Sequence, residues 1–323
     1  MSIQPGLKRW IWIGAVLLAV AGTTIAGIQG TGFRLYAAIG TVETGGDGLQ
    51  VNGVPYDISH AHVSVNGRPT DISQLRSGHI VAVHGSRAPR STTVVADEVV
   101  LNSDVRGEVT AVDEAAGSFS VLGQAVRLDG QSVLDPRIQP NDISGLNRGT
   151  WVKVSAYQRA DGTFVASRVD LDLAPDQLQV RGVAESLDRE HQTLRIGELT
   201  VDYSGAQTQG AIADGAIVLA RGIQPQSHGP LFASSLEVFS GVGRAGEHGD
   251  VKGIVTAFAS TTDFEVNGQP VQADSSTVYR LNGQSLGTDL EVRVTGRFDP
   301  TGVLIAHKVQ ADAPGNARHA PRK

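Results

Sequence analysis

Two histidines separated by one residue, His60-Ala61-His62, are the pair in this 323-residue chain whose spacing best suggests chemistry. On an extended segment, side chains two apart share a face, so both imidazoles point the same way, with Asp57 close by. That is the beginning of a metal site. A zinc centre takes three or four ligands at about 2 Å, and a third is not evident. His79 and His84 belong to the same stretch but stand at opposite ends of one apolar strand. The bland reading is two surface histidines. His60 and His62 are therefore the candidate metal ligands, and no residue qualifies as catalytic or cofactor-binding.

Other chemistries are poorly served. Serines, histidines and acids are plentiful, yet no G-x-S-x-G elbow frames a nucleophile. The run G-V-G-R-A-G at 241–246 looks like a phosphate loop, but neither Lys-Ser/Thr nor a helical pattern follows it. The acid pairs Asp97/Glu98 and Asp113/Glu114 fall at strand ends or turns, where solvated carboxylates are ordinary. The chain has no cysteine, which excludes disulfides and thiolate chemistry. Nucleic-acid stacking needs aromatics on an exposed strand face beside basic charge. Here the net charge is -6, aromatics make up 5%, and Phe119, Phe164 and Phe264 lie in the apolar phase of their strands. No nucleic-acid partner is expected, and no cofactor.

The elements that would position any site come from a repeat. An opening glycine recurs as Gly40, Gly107, Gly182 and Gly253, a period of about 70 residues that exceeds the usual solenoid periods. A small apolar residue follows two positions on, at Val42, Val109, Ala184 and Val255. Then comes an alternating pair (Leu49/Val51, Phe119/Val121, Leu194/Ile196, Phe264/Val266) and a second glycine at 53, 123, 197 or 268. Alternation of this kind marks one face of a strand. Asn52-Gly53 and Asn267-Gly268 suit a type I′ hairpin, whose central residues both need positive φ. The second half is a strand such as Ile80-x-Val-x-Val83 or Leu290-x-Val292-x-Val294, closed by an alanine with an apolar residue three later, as in Ala96/Val99 and Ala306/Val309.

Each copy thus reads as a strand, a hairpin of two strands, a long connection and a second hairpin. Five short strands in that order predict an OB-type barrel. Copies one and two share D-I-S-x-L-x-x-G in the connection, at 71–78 and 142–149. Asp or Ser can cap one helical turn there, with Ile72/Leu75 and Ile143/Leu146 on its inner face as a barrel plug. Copy two has Ala156 where the others carry a glycine after the strand, and copy four has Asp289 for Gly78 or Gly149. Copy three is a residue short at its hairpin and lacks the turn, which makes it the least regular.

The segments G-E-V-T-A-V-D (107–113), S-F-S-V-L-G-Q-A-V (118–126) and D-G-T-F-V-A-S-R-V (161–169), with G-I-V-T-A-F and F-E-V-N-G-Q-P-V in copy four, resemble a family of repeated β domains in exported bacterial proteins. That family is the domain of unknown function numbered five-six-six-six. The resemblance covers nearly everything after the N-terminal segment. It implies export and small β-barrels, and no activity.

In order, the expected organisation is an N-terminal tip and anchor or signal peptide (1–29), barrels at 38–103, 104–173 and 177–239, a flexible glycine-rich linker (240–250), a fourth barrel (251–312) and a disordered basic tail (313–323). Lys8 and Arg9 precede an apolar run from Trp10 to Ile28, long enough to span a bilayer with its N-terminus cytoplasmic. A cleaved signal peptide competes, with Leu17 to Val20 as its core and Thr24-x-Ala26 as the cleavage site. The fold class is all-β: a tandem array of four small five-stranded OB-like barrels after a transmembrane or signal helix. The expected function is non-catalytic binding or adaptor work outside the cytoplasm, toward an envelope protein or polymer. A structural spacer and a metal-dependent enzyme using the first copy are the alternatives.

Overall fold

The computed structural model describes residues 33–45, 48–173, 176–224 and 229–312. The anchor or signal segment, 10–28, and the tail, 313–323, lie outside the described residues. Among the described residues no helix is long and apolar enough to cross a membrane.

The chain is all-β. Copy one comprises β1 (Arg34–Gly45), β2 (Gly48–Val51), β3 (Val54–Asp57), β4 (His62–Val65), β5 (Arg68–Pro69), β6 (Ile80–Arg87) and β7 (Val94–Leu101). Copy two holds β8 (Val105–Asp113), β9 (Ser118–Val121), β10 (Gln124–Arg127), β11 (Val133–Leu134), β12 (Trp151–Gln158) and β13 (Phe164–Leu171). Copy three holds β14 (Leu178–Val183), β15 (Glu185–Asp188), β16 (Thr193–Ile196), β17 (Leu199–Asp202), β18 (Gln207–Gln209), β19 (Ile217–Ile223) and β20 (Leu231–Val238). Copy four holds β21 (His248–Ser260), β22 (Asp263–Val266), β23 (Gln269–Arg280), β24 (Glu291–Phe298) and β25 (Leu304–Ala311).

Closed five-strand barrels form where the family resemblance is strongest. In copy two the ring runs β8, β9, β10, β13, β12 and back to β8. In copy four it runs β21, β22, β23, β25, β24 and back to β21. The alternating residues fill the interiors, with Phe119, Val121, Phe164 and Val169 in one and Phe264, Val266, Leu304 and Val309 in the other. Copy one pairs β1, β2, β3, β7 and β6 in the same order. Copy three is irregular as expected, since its first strand breaks at Ala184 and the register with β16 shifts between Glu185 and Asp188.

The repeat's opening glycine has a packing reason. A Cβ there would lie 1.7 Å from Asn52 Oδ1 at Gly40, 2.9 Å from Leu122 Cγ at Gly107, 2.5 Å from Ile196 Cγ2 at Gly182 and 2.9 Å from Asn267 Cβ at Gly253. The first strand must let the end of the hairpin lie directly on it. The D-I-S turns are 3-10 turns, Ile72–Gln74 and Ile143–Gly145, capped by Asp71 and Asp142, which accept from Ser73 N at 2.8 Å and Ser144 N at 2.9 Å. Leu75 and Leu146 are buried beneath them, and Ile72 and Ile143 are half-buried.

The copies are not strung in a line. Copies one and four form one 12-stranded sheet through parallel pairing of β1 with β21, Tyr36 opposite His248 and Ile39 opposite Val251. Copies two and three form a 13-stranded sheet through β8 and β14. The remaining pairs of copies also touch: His79 with Asp170, Gln179 with Asn66, Arg159 with Asp289, and Arg181 with Asn267. The division into three barrels plus a loosely tethered fourth is thereby corrected.

The stretch 240–250, read from its glycines as a flexible linker, is packed. His248 to Asp250 already belong to β21, and Val242 N donates to Gln269 Oε1 at 3.0 Å. A Cβ on Gly243 would lie 2.0 Å from the Phe298 ring. The glycines serve close approach here, not slack.

Candidate functional site

His60 and His62 are both exposed. Asp57 faces its own turn, accepting from Ser59 N at 3.1 Å and Ser59 Oγ at 2.7 Å, and these bonds lower its carboxyl from the usual range. His62 stands opposite Glu98 on β7, and Glu98 opposite His84 on β6, on the outer face of the sheet. His84 Nδ1 lies 3.5 Å from Glu247 on the other side. Among the described residues, no group of three or more His, Cys, Asp or Glu comes together to hold a metal ion. His60 and His62 thus meet no third ligand there.

The structure instead draws residues from all four copies around one cleft of about 230 Å³. Ile39, Ile80 and Ala82 come from copy one, Asp104 from copy two, Arg181 and Leu219 from copy three, and Asn267 from copy four. Phe239 to Val242, the stretch that enters the fourth copy, form another wall.

Asp104 and Arg181 are its charged residues at the centre of the junction. Asp104 precedes β8 and ties three strands: its N–H donates to Val154 O at 2.8 Å, its carbonyl accepts from Arg181 N at 2.7 Å, and its carboxylate accepts from Ala156 N at 2.8 Å. Burial pushes the carboxyl up to about 6, against the opposing pull of Arg181 and the Ala156 N–H. Arg181 Nη1 lies 3.6 Å from Asp104, and Arg181 Nη2 donates to Asn267 O at 2.9 Å. Its guanidinium carbon sits 4.8 Å from the centre of the Phe239 ring, a cation–π distance. Burial lowers Arg181 from its usual pKa, and Asp104 partly restores it. Asn267 Oδ1 is buried without a hydrogen-bond partner. A second ion pair, Arg221 with Glu237 at 2.6 Å, stands beside the cleft, Glu237 being one of its lining residues.

Such a cleft can bind, because apolar walls surround a few fixed polar groups. The sequence held an overlooked signal for Arg181. The residue before the opening glycine is basic in three copies: Arg106, Arg181 and Lys252. Each finds acids, Arg106 meeting Asp172 at 2.6 Å and Asp176 at 2.8 Å, and Lys252 meeting Glu291 and Asp312 at 3.5 Å. In copy one the position is Ile39, which joins the apolar core of the fourth copy.

A family model described as "Domain of unknown function (DUF5666)" matches residues 106–170 and 252–310, within copies two and four. No curated protein matches the chain.

Proposed function

We propose, from the premise that its second and fourth copies match the DUF5666 model, that the chain is a non-catalytic binding or adaptor protein working outside the cytoplasm. In this proposal each of the four copies is one OB-like barrel, and the chain is exported or anchored through residues 10–28. The envelope protein or polymer it serves engages the cleft at the four-copy junction.

The observation that carries the proposal is the composition of that cleft. Every copy contributes to it, and its polar centre, Asp104 and Arg181, comes from two different copies. A linear spacer would have no use for six mutual interfaces, which favours binding over spacing. Fold alone does not decide function for such barrels, so the argument rests on the cleft.

The test fills it. Ala82 lines the cleft and is half-buried, so Ala82→Trp should occlude the space. The full chain is incubated with the protein and polymer fraction of a bacterial envelope extract, and what stays bound after pulldown is examined by mass spectrometry. A bound mass on the wild type that is absent from a folded Ala82→Trp variant supports the proposal. Identical bound masses on both, or none on either, would refute it.

A further inference from the structure

We propose that the end of the molecule around the first residues of β1 is a docking face for an anionic lipid surface. The register brings its residues together. Arg34 stands opposite Arg87, Tyr36 opposite His248 on the neighbouring copy, and His248 opposite Arg297. The Arg87 guanidinium carbon is 4.4 Å from the centre of the Tyr36 ring, and that ring stacks on His248 at 5.2 Å. Arg297 Nη2 is 3.3 Å from His248 Nε2. Burial first, then Arg297, Arg34, Arg87 and His307, hold the His248 pKa below its usual value.

This concentration runs against a chain whose net charge is -6. The nearby acids are committed elsewhere. Glu247 is buried beside His84 and accepts from Arg244 N at 2.7 Å, and Asp299 accepts from Thr301 and Val303 within its own turn. Beside the cations, Phe33 and Leu35 are 47% and 48% exposed. Leu35 lies opposite Ser86, which lies opposite the exposed Val95. Cations and exposed apolar residues alternate along these strand ends, the basic ones on one face and Phe33, Leu35 and Val95 on the other. At the rim of the sheet the two together suit a headgroup layer, where each cation near an anionic surface favours binding and the attraction fades within a Debye length.

Chain position points to the same occupant. Four residues, 29–32, separate the apolar run ending at Ile28 from Phe33, and four residues reach at most about 14 Å. A bilayer crossed by that run would face this end. This step rests on reading 10–28 as a membrane segment, whereas the charge and register do not.

The absence of cysteine allows a single reporter. Thr92, exposed in the loop that leads from the end of β6 at Arg87 to β7, is replaced (Thr92→Cys) and labelled with the polarity-sensitive fluorophore NBD. The full chain is then placed in nanodiscs of phosphatidylcholine with or without phosphatidylglycerol. A severalfold brighter, blue-shifted emission in the anionic discs is expected, lost in high salt and in the Arg34→Gln/Arg87→Gln/Arg297→Gln variant. Circular dichroism confirms that the variant is folded. Equal emission in both discs, with the chain still held by them, overturns the docking face and leaves the anchor reading intact. If the chain does not stay with the discs, the anchor reading fails, and flotation with phosphatidylglycerol vesicles decides instead. Flotation weakened on the order of a hundredfold by the triple variant supports the face, at about 1 kcal/mol per cation, and no flotation overturns it.

Discussion

Tyr157 of the second copy is hydrogen-bonded at 2.6 Å to Thr41 of the first, while its fully buried ring packs among core residues of the fourth. One side chain therefore joins three copies. Truncating it should loosen the junction rather than one barrel. Tyr157→Ala is expected to cost about 3–5 kcal/mol, as buried aromatic truncations do, and Tyr157→Phe about 1 kcal/mol for the hydrogen bond. Urea unfolding measures both, and a Tyr157→Ala variant as stable as the wild type would show that the junction contributes nothing.

Asp104 gives the junction a pH signature. Its carboxyl sits at about 6 when folded, against about 3.9 in an unfolded chain. Between those values the folded state binds more protons, so stability falls as pH rises from about 4 to about 6. The full effect is on the order of 3 kcal/mol. Glu265, raised by burial and then by Asp263, adds in the same sense, while His248, held low, opposes it just below its ordinary pKa. Asp170 acts in a lower window. Burial lifts it, but hydrogen bonds from His79 and Arg168 outweigh that and bring it to about 2, so its contribution is lost as pH falls from about 4 toward 2. The wild type minus Asp104→Asn difference in urea midpoint should shift in the variant's favour from pH 4 to pH 6. A difference that does not change with pH would contradict the buried carboxyl.

The capped 3-10 turn of copy two should act as a plug. Leu146 is 3% exposed beneath it and Ile143 only half-buried. Leu146→Ala is expected to lower stability by about 2–5 kcal/mol, and Ile143→Ala by less. A change below about 0.5 kcal/mol for Leu146→Ala, the range of ordinary surface substitutions, would place the turn on solvent.

Each copy bulges at the same point in its last hairpin, and three of the four have a glycine there. A Cβ would lie 2.2 Å from Val95 O at Gly85, 2.0 Å from Phe232 O at Gly222 and 2.0 Å from Ile305 O at Gly296. Copy two has Ala156, whose N–H is held by the Asp104 carboxylate. Gly296→Ala is therefore predicted to cost about 1–3 kcal/mol through overpacking. A neutral result in thermal unfolding would mean that the backbone yields there at little cost.

The strands, hairpins and capped turns were legible because they are local. Alternation over a few residues, Asn-Gly at positive φ and D-I-S before Leu each carry their own physical reason, and the positive φ of Asn52, Gly53, Asn267 and Gly268 follows it. That neighbouring copies bury surface against one another follows from their small size, but which copies pair was not legible, since pairing of Tyr36 with His248 joins strands from opposite ends of the chain. Glycine composition misled at 240–250, because the same residue grants freedom in a linker and close approach beside Phe298. The cleft escaped for the same reason as the pairing. Asp104 and Arg181 are ordinary polar residues flanking repeat glycines until β8 and β14 lie side by side.

That the four copies fold as one body around a common junction is tested most directly by scanning calorimetry of the full chain. One transition, with equal van't Hoff and calorimetric enthalpies, is the predicted result. Separate transitions, above all an early one confined to residues 251–312, would contradict it.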